Sequence, residues 1–125
     1  MITDTVCELI VGVRHDPVIG PWMMIGSGGI YAELLGDTRV TLLPARDDEF
    51  ATMISSLKIH PLLNGYRGSE PGDVLALLAT LQSVSDFVMK RRESLVELEI
   101  NPLLVRPKGK GVCAVDAVLQ YARAS

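Results

Sequence analysis

Val96-Glu97-Leu98-Glu99-Ile100-Asn101-Pro102-Leu103 alternates apolar residues with acidic or amide ones. Such alternation reads as a half-buried β-strand. Side chains two apart share a face, so Glu97, Glu99 and Asn101 point one way, and Val96, Leu98 and Ile100 point into a core. Three oxygen-bearing side chains in a row repel one another in a cleft unless a cation is present. Hard cations such as magnesium take ligands of this kind. The same alternation also suits a strand whose polar face is simply solvated.

Working outward, Arg106 to Gly111 is a turn segment rich in Gly and Pro, and Gly111 to Val118 reads as a second strand. A hairpin loop closing on Lys108-Gly109 sets Val105 opposite Val112 and Asn101 opposite Asp116. Opposed residues in an antiparallel pair have Cβ atoms roughly 4.5–5.5 Å apart and face one side, so Asn101 and Asp116 could share one metal ion. The match depends on register, and Pro102 is a candidate for a bulge.

Upstream, Val6 to Val13 reads as a strand, Arg14 to Pro21 as a turn, and Trp22 to Ile25 as a short strand. Gly26-Ser27-Gly28-Gly29 is expected to be a hinge, with a phosphate cradle as the weaker alternative. Ile30–Leu35 and Arg39–Leu43 read as a hairpin around a tight turn at Gly36-Asp37-Thr38, with Glu33 on its first strand. Asp47 or Asp48 can cap a helix whose buried stripe is Phe50, Met53, Ile54 and Leu57, and His60-Pro61 breaks it. Asn64 to Ser69 is a loop that displays Arg67 between glycines. Pro71 and Asp73 open the longest helix, with Val74, Leu77, Leu78, Leu81, Val84 and Val88 inward and Lys90-Arg91-Arg92 at its end. Leu119 to Ser125 is expected to trail as a short helix or coil. His15 beside Asp16, and His60 beside Pro61, lack the company that a zinc site requires.

At 125 residues the chain is expected to be one domain, residues 1–125. With 48% hydrophobic and 22% charged residues it should fold around a core. Its net charge of −3 gives no electrostatic case for nucleic acid. The basic clusters Lys90-Arg91-Arg92 and Lys108–Lys110 are too small for an anionic membrane surface. No apolar run is long enough to span a bilayer, and no signal peptide is visible. Cys7 and Cys113 lie in apolar runs, as buried free thiols do, and the consistent compartment is cytoplasmic. The predicted architecture is α+β: a two-layer domain with a mostly antiparallel sheet and helices on one face. The other face would carry Glu97, Glu99, Asn101 and Asp116.

Four stretches, in order, resemble one family. Gly12 to Pro21 is similar to "GV-x-x-DP-x-FGP". Gly26 to Ile30, with Glu33 and Asp37, is similar to "G-x-GGI-x-x-E-x-x-x-D". Leu63 to Gly68 resembles "L-x-GYRG", and Glu99-Ile100-Asn101-Pro102-Leu103 followed by Asp116 resembles the close of the domain. The family is the ATP-grasp domain of ADP-forming acyl-CoA synthetases, related to succinyl-CoA synthetase beta subunits. The resemblance covers nearly the whole chain. It departs mildly where Glu99 stands for the family's usual Asp.

The resemblance implies the second subdomain of an ATP-grasp fold, part of an acid–thiol ligase that binds magnesium and ATP or ADP for phosphoryl transfer. It implies that Asn101 and Asp116 hold magnesium, that Glu99 assists as a further ligand or water-holder, and that Glu33 and Arg67 face the nucleotide or another anion. The first subdomain, with its phosphate-contacting lysine, and the CoA-binding domain with its phosphorylated histidine have no counterpart here. The chain is therefore expected to need these as partners and to be inactive alone. The alternative is a non-catalytic binding or assembly module that keeps the fold and pairs with another protein or a second copy of itself.

Overall fold

The computed structural model describes residues 4–28 and 36–122. Among the described residues six strands form one antiparallel sheet: β1 (Cys7–Asp16), β2 (Gly20–Ser27), β3 (Thr38–Leu42), β4 (Leu95–Val105), β5 (Val112–Ala114) and β6 (Ala117–Tyr121). Their order is β3-β2-β1-β4-β5, with β6 also paired to β4. Helices α1 (Asp47–Ser56), α2 (His60–Leu63) and α3 (Val74–Lys90), with a 3₁₀ turn at Tyr66–Gly68, lie between β3 and β4 in the chain. This is the α+β arrangement expected from the sequence.

The sheet's inner face is built by alternation. Leu9, Val11 and Val13 of β1, Met23 and Ile25 of β2, and Leu98, Ile100 and Leu103 of β4 are buried. They pack with Phe50, Met53, Ile54 and Leu57 from the α1 region and Leu77, Leu81 and Val88 of α3 in a single core. Val74, Leu78 and Val84 pack at its margin, so the whole anticipated α3 stripe faces inward. Removing such a face from water contributes roughly 25 cal/mol per Å² and holds the helices to the sheet.

Several boundaries differ from expectation. Val96 is exposed rather than buried, because a register shift between Leu95 and Glu97 turns it out and Leu95 takes the inward place. β1 and β2 run longer, through Asp16 and Ser27, and only Pro17–Ile19 make the turn. There the Asp16 carboxylate accepts the Val18 and Ile19 N–H groups, at 2.8 and 3.1 Å, rather than orienting His15. Gly26 and Ser27 belong to β2. The Ser27 N–H donates to the Asp37 carbonyl and the Gly28 N–H to the Glu8 carbonyl, so these donors are spent on the sheet and cradle no phosphate. Asp37, expected in a tight turn, is fully buried, and β3 pairs with β2. The anticipated first strand of that hairpin, including Glu33, lies outside the described residues.

The α1 cap is Arg46, whose N–H donates to the Glu49 carboxylate at 3.2 Å; Asp47 and Asp48 follow in the first turn. His60-Pro61 opens the short α2, since proline is tolerated in a first turn. Asp73 is the N-cap of α3 rather than a first-turn residue. Leu119 to Tyr121 belong to β6 instead of trailing away.

Candidate functional site

The second hairpin folds in the expected register. Val105 pairs with Val112, Leu104 with Cys113 and Leu103 with Ala114. The Lys110 N–H donates to the Pro107 carbonyl, closing the turn over Lys108-Gly109. Farther along, Ile100 pairs with Ala117 and Glu99 with Val118. Between these stretches the Asn101 N–H donates to the Asp116 carbonyl at 3.0 Å, and the Val115 N–H to the Pro102 carbonyl at 3.1 Å. Asn101 therefore stands opposite Asp116. Against β1, the register shifts where Asn101 and Pro102 face the single residue Ile10. Proline cannot donate to the ladder, so the bulge forms there.

Directly opposed residues share a face, so the pairings lay out the sheet's outer surface in rows. One row is Leu42, Trp22, Arg14, Glu97 and Gln120. The next is Val40, Met24, Gly12, Glu99 and Val118. The third runs Thr38, Gly26, Ile10, then the bulge with Asn101, and Asp116. The face is thus apolar toward β3 and oxygen-rich toward β6. Trp22, Met24, Val40 and Leu42 were legible only as strand residues; no sequence signal set them beside the acidic row, because β2 and β4 meet only through β1.

The acidic row is not uniform. Arg14 bridges Glu97 at 2.9 Å and neutralises it. Among the described residues Glu99, Asn101 and Asp116 have no side-chain partner. The β1 neighbour of Glu99 is Gly12, which adds no side chain beside the carboxylate. Two uncompensated carboxylates and an amide oxygen are hard donors for a small divalent cation. Among the described residues no cluster of three His, Cys, Asp or Glu side chains could hold a metal unaided. A donor set this sparse fits magnesium, which keeps waters and completes its shell with substrate phosphates.

Arg67 is exposed in the 3₁₀ turn with φ of 54°, a left-handed conformation uncommon for a side-chain-bearing residue, and its guanidinium lies 5.2 Å from the Tyr66 ring. Ser69 and Glu70 of this loop line the same hollow as Pro107 and Asp4. Pro107 lies beyond the end of β4, whose span from Asn101 to Val105 is roughly 13 Å at about 3.3 Å per residue. The structure places Arg67 toward that end and does not bring it to the Asn101–Asp116 pair.

An ATP-grasp domain family model matches residues 1–120. The chain is 43% identical over 109 residues to the ADP-forming 4-hydroxybutyrate–CoA ligase of Nitrosopumilus maritimus, covering 87% of this chain and 16% of that protein. It is 38% identical over 110 residues to the beta subunit of the ADP-forming acetate–CoA ligase II of Pyrococcus furiosus, covering 88% of this chain and 47% of the subunit. The crystal structure of PH1788 from Pyrococcus horikoshii OT3 superposes with a TM-score of 0.91 at 33% identity, over 99% of this chain and 52% of that one. The acetyl-coenzyme A synthetase 1 of Ca. Korarchaeum cryptofilum, solved with coenzyme A and Mg-AMPPCP, superposes with a TM-score of 0.83 at 34% identity, over 93% and 53%. The chain thus spans about half the length of the subunit-sized relatives and a sixth of the longer ligase.

Proposed function

Because the chain belongs to the ATP-grasp domain family, in the form found in ADP-forming acyl-CoA ligases, we propose that it is the magnesium-nucleotide half of such a ligase. The observation that carries this reading is the register of Asn101 against Asp116 on the open sheet face, with Glu99 unpaired beside them.

Asn101 and Asp116 would hold the metal, and Glu99 would accept from one of its waters. Magnesium, when bound, supplies charge neutralisation on phosphate oxygens during phosphoryl transfer. Arg14 keeps Glu97 engaged, so the negative charge concentrates where the ion would sit. The apolar half, Trp22, Met24, Val40 and Leu42, offers a surface for the flat base of ATP or ADP, with the phosphates directed toward β6. Glu33 would add a polar contact to the nucleotide. Arg67 would meet an anionic group carried by the completing polypeptide. The lysine-bearing subdomain and the CoA-binding domain would come from that polypeptide, so turnover by this chain alone is expected to be negligible.

Calorimetric titration with ADP tests this. Binding should weaken at least tenfold without magnesium, and likewise in Asp116→Ala and Asn101→Ala. ADP binding that ignores both the metal and the substitutions would overturn the assignment. The exposed strand β6 supports a second reading, a non-catalytic assembly module; its signature would be magnesium-independent self-association with no ADP binding.

A further inference from the structure

The helix layer stops one strand short of the sheet's edge. Leu98 and Ile100 of β4 are buried beneath α3. Their cross-strand partners Leu119 and Ala117 face the same side and remain exposed. Between them lies an open groove of about 440 Å³, walled by Thr80, Ser83, Val84 and Phe87 of α3. Its outer lip is the free edge of β6, where Val118, Leu119 and Tyr121 are each more than two-fifths exposed. β6 carries no charge, proline or bulge of its own to keep other chains away, which edge strands usually need. One end is basic: the Arg91 guanidinium stacks 3.8 Å from the Phe87 ring centre, and Arg92 follows it. Among the described residues neither arginine has a carboxylate partner.

We infer that this groove seats an amphipathic segment of the polypeptide that completes the ATP-grasp domain. The seated segment is apolar on one face and carries an acidic residue at the Arg91–Arg92 end. The inference rests on the function proposed above. One observation favours this occupant over a second copy of the chain. The relatives of subunit size carry as much polypeptide again beyond the matched part. The groove also lies directly behind the candidate metal pair: Ala117 and Leu119 line it, while Val118 faces the other side of β6 and Asp116 immediately precedes that strand. A segment seated there would stiffen the start of β6 and with it Asp116.

Thiol labelling tests the inference. Cys7 is buried and its thiol is pushed up to about 12, by burial first and then by the Glu8 charge, so it stays unlabelled. In a Cys113→Ala background, Ser83→Cys reports on the groove and Ser55→Cys, exposed on α1, serves as control. Each is measured in the chain alone and in a single polypeptide joined to the unmatched part of the P. furiosus beta subunit in that subunit's own order. Labelling at position 83 should slow at least tenfold in the joined polypeptide, with position 55 unchanged. Equal labelling at position 83 overturns the inference. So does protection that arises in the chain alone as its concentration rises, which would make a second copy the occupant. ADP titration of the same polypeptide separates the two ideas. Magnesium-dependent binding with an open groove sinks only the docking. A protected groove without nucleotide binding sinks only the proposed function.

Discussion

Asp37 shows what a single carboxylate does in this fold. It is fully buried, yet it accepts from the Ser27 hydroxyl at 2.6 Å and from the Lys58 and Ile59 N–H groups at 2.7 and 3.0 Å. Arg39 lies 3.9 Å away. Burial alone would push its pKa up; the three donors and the Arg39 charge outweigh it, and the net shift is downward. The carboxylate thereby pins the β2–β3 connection to the α1–α2 link. In the resemblance motif this aspartate sits with the glycine-rich stretch, but its work is structural. Asp37→Asn replaces one acceptor with an NH₂ that faces N–H donors. Leaving buried donors unmet costs about 1–3 kcal/mol, so a loss of about 3 kcal/mol is expected in chemical denaturation, with Asn101 and Asp116 untouched. A loss below about 1 kcal/mol would show that the ionised carboxylate is not what holds the link.

Among elements, α3 and the β4–β5 turn are coupled through Asp73. Its carboxylate caps the helix by accepting the Ala76 N–H at 3.1 Å. Its other oxygen accepts the Gly109 and Gly111 N–H groups at 3.1 and 2.7 Å. Gly72, one residue earlier, passes so close to Leu63 and Val105 that an added Cβ would lie 2.9 and 3.0 Å from their side chains. The turn that sets the Asn101–Asp116 register is thus fixed from outside the hairpin. Asp73→Ala removes the cap, worth about 1 kcal/mol, and frees two turn donors as well, so a loss of about 2–3 kcal/mol is expected. Asp73→Asn should retain most of the cap and lose less, because asparagine also caps helices. If Asp73→Ala costs no more than the cap alone, about 1 kcal/mol, the coupling to the turn is absent.

At the scale of the whole molecule, acid sensitivity follows from these carboxylates. Asp4 is held down to about 2, by Lys110 first and then Arg106, and so ties the chain's first described residues to the β4–β5 turn. Asp16 and Asp73 are lowered, chiefly by backbone N–H donors, and Asp37 as described. A carboxyl lowered in the folded state binds its proton more readily when unfolded, near pH 3.9. Its stabilisation is complete above that pH and is lost as pH falls through the folded value. Denaturation midpoints should therefore hold steady from pH 7 to about 5 and decline below about 4, less steeply when Asp37→Asn and Asp73→Asn are combined. An equal decline in the double variant would place the acid sensitivity elsewhere.

The sequence by itself determined the cores of β1 to β4, the inward stripes of α1 and α3, and the hairpin register that sets Asn101 against Asp116. Those features depend on periodicity of two or 3.6 residues and on a glycine-bearing turn, all local properties of the chain. Only the tertiary structure decided which side chains outside the hairpin share its face. Arg14 reaches Glu97 and leaves Glu99 free because β1 inserts beside β4, a pairing between residues more than eighty positions apart. Val96 turned outward, Asp37 became a buried anchor, Leu119–Tyr121 joined the sheet and Arg67 lay away from the Asn101–Asp116 pair for the same reason. Each outcome depends on which distant segment packs against the residue, and hydrophobic periodicity carries no record of that partner.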